Sequence, residues 1–424
     1  MFATVGRWLH CAAWCSGLAF GPLAYAHESE VEGHERSSVL SIDHGVPHIS
    51  TIAANAGDEI RLFVRERVRL GDLQRQEGKH GPPQAVLMIH GRTVPVLAAY
   101  ALVPDSDYDW AWSLAKSGLD VFMLDFQGSG LSPRPTMDNP CNVPAAQRAS
   151  LLVPNRLAVT CSQRGREPSY PFVLTTEGSD LDELDTVVDY IRSLRGVEKV
   201  HLVSWGQGSF RVGPYAVQHP EKVASLFLGG PIFNTAFPTT TAPPDLPRSG
   251  TPMTLRTRAD HFRGDGRTTG WDVELKCENQ REPGIEDVAW AAIMENDEVG
   301  RTWGPPPAGT PAGSLPEGVM RVREATLWGW NAIVAPSLTV PTLIIQGEFD
   351  TGQGGVQQLA ELYRLVKTPN KLRFRVQCSG QFMQWDNRRR LLQRVSREWI
   401  KDGTVAGFSQ GEFFIDTAGN LSSL

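Results

Sequence analysis

The chain is predicted to fold as an α/β protein, a mostly parallel sheet with helices on both faces. Three observations carry that prediction. Short, continuously apolar strands alternate with amphipathic helices in two separated blocks. One strand, Val200 to Trp205, runs into a turn of small residues from which a helix leaves at once. At 424 residues the chain can bury a large core, as one elaborated domain or two.

In the first block, Glu59 to Arg65 alternates with period 2, as an outer antiparallel strand does. Ala85 to Ile89 is a short apolar run, the pattern of a strand buried on both faces. An aromatic-rich helix over Tyr108 to Ser117 precedes the strand Val121 to Asp125. Ser179 opens a helix whose Leu181, Leu184, Val187, Val188 and Ile191 share one face, and Gly196 ends it. The strand-turn-helix unit follows, its helix running from Phe210 to His219, and then the strand Val223 to Leu228. The second block holds a strand over Pro341 to Ile345 and a helix around Gly355 to Val366. A strand over Lys371 to Val376 and a final helix, Asn387 to Ile400, complete it. Two stretches interrupt the alternation. Ser132 to Phe172 is Pro-rich, and Pro231 to Ala335 is rich in Pro, Gly, Thr and Trp, with a weaker helix signal near Ile285 to Met294.

Met1 to Ala26 carries one early charge, Arg7, then an apolar, Ala-rich run ending Ala24-Tyr25-Ala26, which is the pattern of a secretory signal peptide. A short membrane anchor is the alternative, though Gly21-Pro22 breaks the run, and no later segment has the length of a span. The expected location is secreted or periplasmic. Removing the segment moves the formal charge from −6 to −7. No basic cluster is present, which argues against a nucleic-acid partner. Cys11 and Cys15 leave with the signal, so Cys141, Cys161, Cys277 and Cys378 remain as an even set in an oxidising compartment. Cys141 and Cys161 flank one insertion and are the preferred pair, leaving Cys277 with Cys378 among three possible pairings. No C-x-x-C or H-x-x-x-H spacing supports zinc, and no other metal or cofactor is implied.

The order of motifs from about Ile49 to Ile400 resembles the α/β-hydrolase superfamily, nearest to exported bacterial members with an inserted cap. The resemblance implies a mostly parallel, eight-stranded-type sheet. It divides the chain into a signal peptide (1–26), a first core part (27–231) with the Pro/Cys insertion (132–172), a cap (232–336) and a second core part (337–424). Four positions carry the likeness. Ile89-His90-Gly91-Arg92 looks like the oxyanion loop, which would give the Arg92 N–H to the oxyanion hole; His90 reads equally as a packed histidine or a proton-transfer group. Asp125-Phe126-Gln127-Gly128-Ser129-Gly130-Leu131-Ser132 looks like the family's D-x-x-G-x-G-x-S structural turn. Leu202-Val203-Ser204-Trp205-Gly206-Gln207-Gly208 looks like the nucleophile elbow, with Gly206 where the nucleophile belongs and the Gln207 N–H as second oxyanion donor. Gln346 to Asp350 places Asp350 as the triad acid, and Cys378-Ser379-Gly380-Gln381-Phe382 puts Gln381 where the histidine belongs.

Two of the three working groups are therefore absent. Losing either serine or histidine from such a triad costs about 10⁶ in kcat, and the losses do not add. A glutamine amide accepts no proton from water near neutrality. Ser209 and Ser204 are the nearby hydroxyls, and His90, His261, Asp350 and Asp386 are candidate surrogate bases. The expectation is a protein without ordinary serine esterase activity. It would be a pseudo-hydrolase that binds a small apolar or ester-like ligand, or a non-hydrolytic catalyst of lyase, cyclase or isomerase type acting on an apolar carbonyl compound. Trp271, Trp290, Trp303, Trp328, Trp330 and Trp385 could line such a pocket or pack a small core. The alternative is a carboxylic-ester hydrolase with a surrogate nucleophile or a directly activated water.

Overall fold

The computed structural model describes residues 38–73, 84–151, 161, 168–235, 246–264, 270–311, 313–352 and 355–424. The predicted signal peptide lies outside the described residues, as does most of the stretch from 152 to 167. Ten strands form the main sheet: β1 (Val39–Ile49), β2 (Glu59–Arg69), β3 (Ala85–Ile89), β4 (Asp120–Asp125), β5 (Val200–Trp205), β6 (Val223–Gly229), β7 (Thr342–Gly347), β8 (Lys371–Val376), β9 (Gly411–Ile415) and β10 (Leu421–Ser423). Their order across the sheet is β1-β2-β4-β3-β5-β6-β7-β8-β9-β10. From β4 to β9 every neighbour is parallel, while β1, β2 and β10 pair antiparallel.

Sequence determines this layering directly. Every side chain of β3 and β4 is buried, because helices cover both faces of a parallel sheet. Val86 and Met88 point into one core with Leu392, Val395 and Trp399 of the last helix, α8 (Arg389–Asp402). Ala85, Leu87 and Ile89 point into the other core, with Leu184, Val187 and Ile191 of α3 (Glu177–Arg195). The helix α3 begins earlier than its apolar face predicts. Thr176 is the N-cap, and Ser179 is the third residue of a capping box, donating and accepting across it. The other end lies where expected, with Gly196 at φ +62°.

The sheet exceeds the eight-stranded type because β9 and β10 extend its edge beyond Ile400. The long segment between β6 and β7 has little separate core. Phe262, Trp271, Ile285, Trp290 and Met320 join the core cluster that holds α8. A satellite cluster, including Met137, Val143, Met253, Leu255 and Trp303, ties the Pro-rich insertion to that segment. Arg321 and Arg323, on the short strand Met320–Arg323, reinforce the tie through buried pairs with Asp297 and Asp180, each at 2.6 Å.

Both cysteine pairs are bonded, Cys141 to Cys161 and Cys277 to Cys378. The first closes a loop with a sequence separation of 20. Replacing both of its cysteines by serine is expected to cost about 3 kcal/mol by urea unfolding, from the chain entropy returned to the unfolded state.

Candidate functional site

β5 ends at Trp205, a single 3-10 turn covers Gly206–Gly208, and α4 (Ser209–Gln218) leaves from it. Gly206 has φ +57°, the left-handed region that glycine enters without strain. A Cβ built there would meet only Gln381 Nε2, at 3.6 Å, so space for a side chain exists on that side. Gly208 has no such room. A Cβ would stand 2.8 Å from the Ile89 carbonyl and 3.0 Å from that of His90, so the helix can pack against the end of β3 only with glycine here. Ser209 is buried, and its hydroxyl lies 2.9 Å from both the Gly206 and Ile232 carbonyl oxygens.

Asp350 follows β7, and its Oδ1 accepts the Gly352 N–H at 2.9 Å. Its Oδ2 is buried with no hydrogen-bond partner. Burial, with a smaller push from the nearby Glu274 carboxylate, raises the Asp350 pKa to about 8. Gln381 sits on the loop after β8. Its carbonyl accepts the Trp205 indole N–H at 2.7 Å, and its backbone N–H donates to Glu274 at 2.5 Å. Glu274 also accepts the Thr351 N–H at 2.8 Å, so one buried carboxylate from the inserted segment joins the Asp350 and Gln381 loops. Sequence reasoning did not single out Glu274.

A cavity of about 150 Å³ opens above the turn. Gly206, Gln207 and Gln381 line its base, Gly91 and Arg92 one side, and Trp205 and Phe382 the aromatic walls. Arg256 and His261, from the inserted segment, line it as well. Arg92 pairs with Glu324. His261 is 2% exposed, and neither ring nitrogen has a protein hydrogen-bond partner. Desolvation, with a contribution from the Arg256 charge, lowers its pKa to about 3, so the imidazole is neutral.

The other candidates take structural positions. His90 is fully buried, with Nδ1 2.6 Å from the Gly91 carbonyl and Nε2 accepting the Phe126 N–H at 3.3 Å. Burial depresses its pKa well below the usual histidine value. Asp125 holds its turn by accepting the Val96 and Leu131 N–H groups at 2.8 and 3.1 Å. Asp386 accepts the Trp271 indole N–H at 2.9 Å, and burial raises its pKa to about 7. Ser204 is fully buried on β5. The six tryptophans considered for the pocket belong to the packed clusters, and among the described residues the indole on the cavity wall is Trp205.

The family model for the alpha/beta hydrolase fold matches residues 84–388, and the chain belongs to that family. Among solved structures, the fold is similar to a serine hydrolase, CCSP0084, from Cycloclasticus zankles, at 12% identity and a TM-score of 0.46, covering 86% of this chain and 99% of that one. It is also similar to the carboxylesterase CesB (YbfK) from Bacillus subtilis, at 12% identity and a TM-score of 0.47, covering 90% and 98%. A thermophilic esterase from Thermogutta terrifontis is 15% identical with a TM-score of 0.44, covering 85% and 98%. No curated protein matches the chain. No helix among the described residues is long and apolar enough to cross a membrane.

Proposed function

We propose that this α/β-hydrolase-family chain is an exported pseudo-hydrolase that binds a small apolar carbonyl compound and does not turn esters over as a serine hydrolase would. The observation that carries the reading is the pairing at the elbow. Where a hydroxyl and an imidazole would face each other, a glycine at φ +57° faces a glutamine amide nitrogen. On this reading Gly206, Asp350 and Gln381 are the remnants of a triad. The Arg92 and Gln207 N–H groups, whose residues line the cavity, hold the ligand carbonyl oxygen. Trp205 and Phe382 pack its apolar body.

Binding is favoured over non-hydrolytic catalysis because the site lacks a working base. A base is most effective with a pKa near the operating pH. His261 at about 3 is too weak, and Asp350 is not among the residues that line the cavity. A surrogate nucleophile is disfavoured by Ser209, whose hydroxyl is engaged with two carbonyls. Export rests on the Met1 to Ala26 pattern, and the two disulfides are compatible with an oxidising compartment.

The test pairs turnover with binding on the protein lacking residues 1–26. A panel of p-nitrophenyl esters is expected to hydrolyse at the buffer rate. The ketone 4-phenyl-2-butanone is expected to quench tryptophan fluorescence saturably, with the response lost in Trp205→Phe. Ester turnover that is fast in the unaltered chain and lost in Ser209→Ala would overturn the reading in favour of a surrogate nucleophile.

A further inference from the structure

A second group of reactive side chains lies away from the cavity, where the edge strand β1 meets the helix α3. Tyr190 of α3 has its hydroxyl oxygen 2.9 Å from His44 Nδ1, and His44 Nε2 is 2.8 Å from a Glu66 carboxylate oxygen. His44 belongs to β1 and Glu66 to β2. The imidazole is fixed between two rings, with the Tyr190 and Phe122 centroids 5.7 and 6.0 Å away. Glu66 lies opposite Phe122 in the first half of β4, whereas Gly206 follows the last residue of the parallel strand β5. Tyr190, His44 and Glu66 do not line the cavity.

These hydrogen bonds run in one direction. Arg195 donates to both Glu66 and Asp120. Burial, and then the Glu66 charge, raises Asp120 to about 8, so Asp120 is the carboxyl group of the pair that holds a proton at neutral pH. An ionised carboxylate only accepts. Glu66 therefore takes the Nε2 hydrogen of His44 and leaves the lone pair on Nδ1, to which the Tyr190 hydroxyl donates. A hydroxyl, a base within hydrogen-bond reach and a carboxylate orienting that base form an activated nucleophile, whatever fold carries them. The Glu66 side chain is fully buried, the His44 side chain is 14% exposed and Tyr190 is half-buried. The orienting end is thus dry, and the two reacting groups reach the surface.

We propose that Tyr190 is an acylation site for small activated acyl donors, with His44 as its base. The phenol oxygen bonds to the acyl carbon as its proton passes to His44 Nδ1, and the imidazolium that forms is balanced by Glu66. The bond from the acyl carbon to the leaving group breaks, the leaving group departs as an anion, and Nδ1 returns its proton to water. The product is a tyrosyl ester, the ester of a phenol whose ordinary pKa is about 10. Transfer is therefore downhill only from donors with a more acidic leaving group, such as nitrophenyl esters, and alkyl esters are excluded. The site uses no group of the elbow, so it is independent of the pseudo-hydrolase reading of the cavity.

The probe is p-nitrophenyl acetate at pH 7, with N-acetyltyrosinamide in parallel as a free phenol and acetyl groups located by peptide mass spectrometry. A positioned base contributes about 10²-fold or more, so Tyr190 is expected to be acetylated at least about ten-fold faster than the free phenol. The fast release of p-nitrophenolate should stop at one equivalent and continue at the buffer rate, which separates this site from turnover at the elbow. Tyr190→Phe should remove that equivalent and leave the fluorescence response to 4-phenyl-2-butanone unchanged. His44→Gln, whose amide can bond both neighbours but takes up no proton near neutrality, should bring Tyr190 to about the free-phenol rate. Thermal melts of each variant establish that it is folded. Tyr190 acetylated no faster than the free phenol, an acetyl group carried by His44 instead, or an unchanged Tyr190 rate in His44→Gln would overturn the proposal.

Discussion

Replacing Gly206 by serine and Gln381 by histidine together is expected to raise kcat for p-nitrophenyl butyrate by about 10³-fold or more over the unaltered chain. Either change alone should leave it near background. The asymmetry follows from how triads work: serine without its base, or base without its serine, loses about as much as losing both, and what remains comes from the oxyanion donors and binding. The site is prepared for the pair in three ways. Gly206 already holds the left-handed backbone of an elbow, and the direction of its missing Cβ leads to the Gln381 side chain at 3.6 Å. Asp350 Oδ2 is buried without a partner, so an imidazole N–H introduced at position 381 has an acceptor to find. Glu274 and Trp205 hold the Gln381 backbone through its N–H and carbonyl, not through the side chain that is exchanged. A double variant no faster than either single one would mean that positions 206 and 381 do not form a working pair, and the elbow assignment would have to be abandoned.

The sequence revealed the fold more fully than the site. Strands with continuous apolar runs, such as Ala85–Ile89, were placed correctly because burial on both faces leaves an unambiguous pattern. The main-sheet strands it missed are at the edges. Val39–Ile49 turns Asp43 and Pro47 outward and places the polar His44 and His48 on its inner face, and Gly411–Ile415 is mostly half-buried, so neither has a strong apolar signal. At the candidate site, Gly206, Asp350 and Gln381 could be singled out in the sequence because each follows a buried strand inside a recognisable motif. Arg256, His261 and Glu274 were not placed there, since they come from the inserted segment, whose residues reach the cavity only through tertiary folding. One signal did point to them. Pairing Cys277 with Cys378 places the residues around 277 beside the loop after β8, and Glu274, three positions earlier, does clamp Gln381.

Asp350→Asn is expected to stabilise the protein at alkaline pH and to change little in acid. The carboxyl group has an ordinary value of 3.8 and is raised to about 8 by burial and by Glu274. Below about pH 4 it is protonated in both the folded and unfolded chain and contributes no pH dependence. Between about pH 4 and pH 8 the unfolded chain releases the proton while the folded chain keeps it. The folded state then binds more protons, and stability falls as pH rises. Above pH 8 both states are ionised, and the full cost of a buried, unpaired carboxylate is present. Asparagine removes that cost and can keep the acceptor for the Gly352 N–H. A gain on the order of 3 kcal/mol at pH 9 follows, shrinking towards zero at pH 4, and urea unfolding across that range measures it. The neighbouring Glu274 carboxyl group, itself raised by burial, takes up part of the proton balance and limits the gain. Parallel stability curves for the two proteins would mean that Asp350 is ionised and satisfied in the folded state. In that case a base would be present at the elbow after all, and directly activated water would again be a tenable chemistry for this cavity.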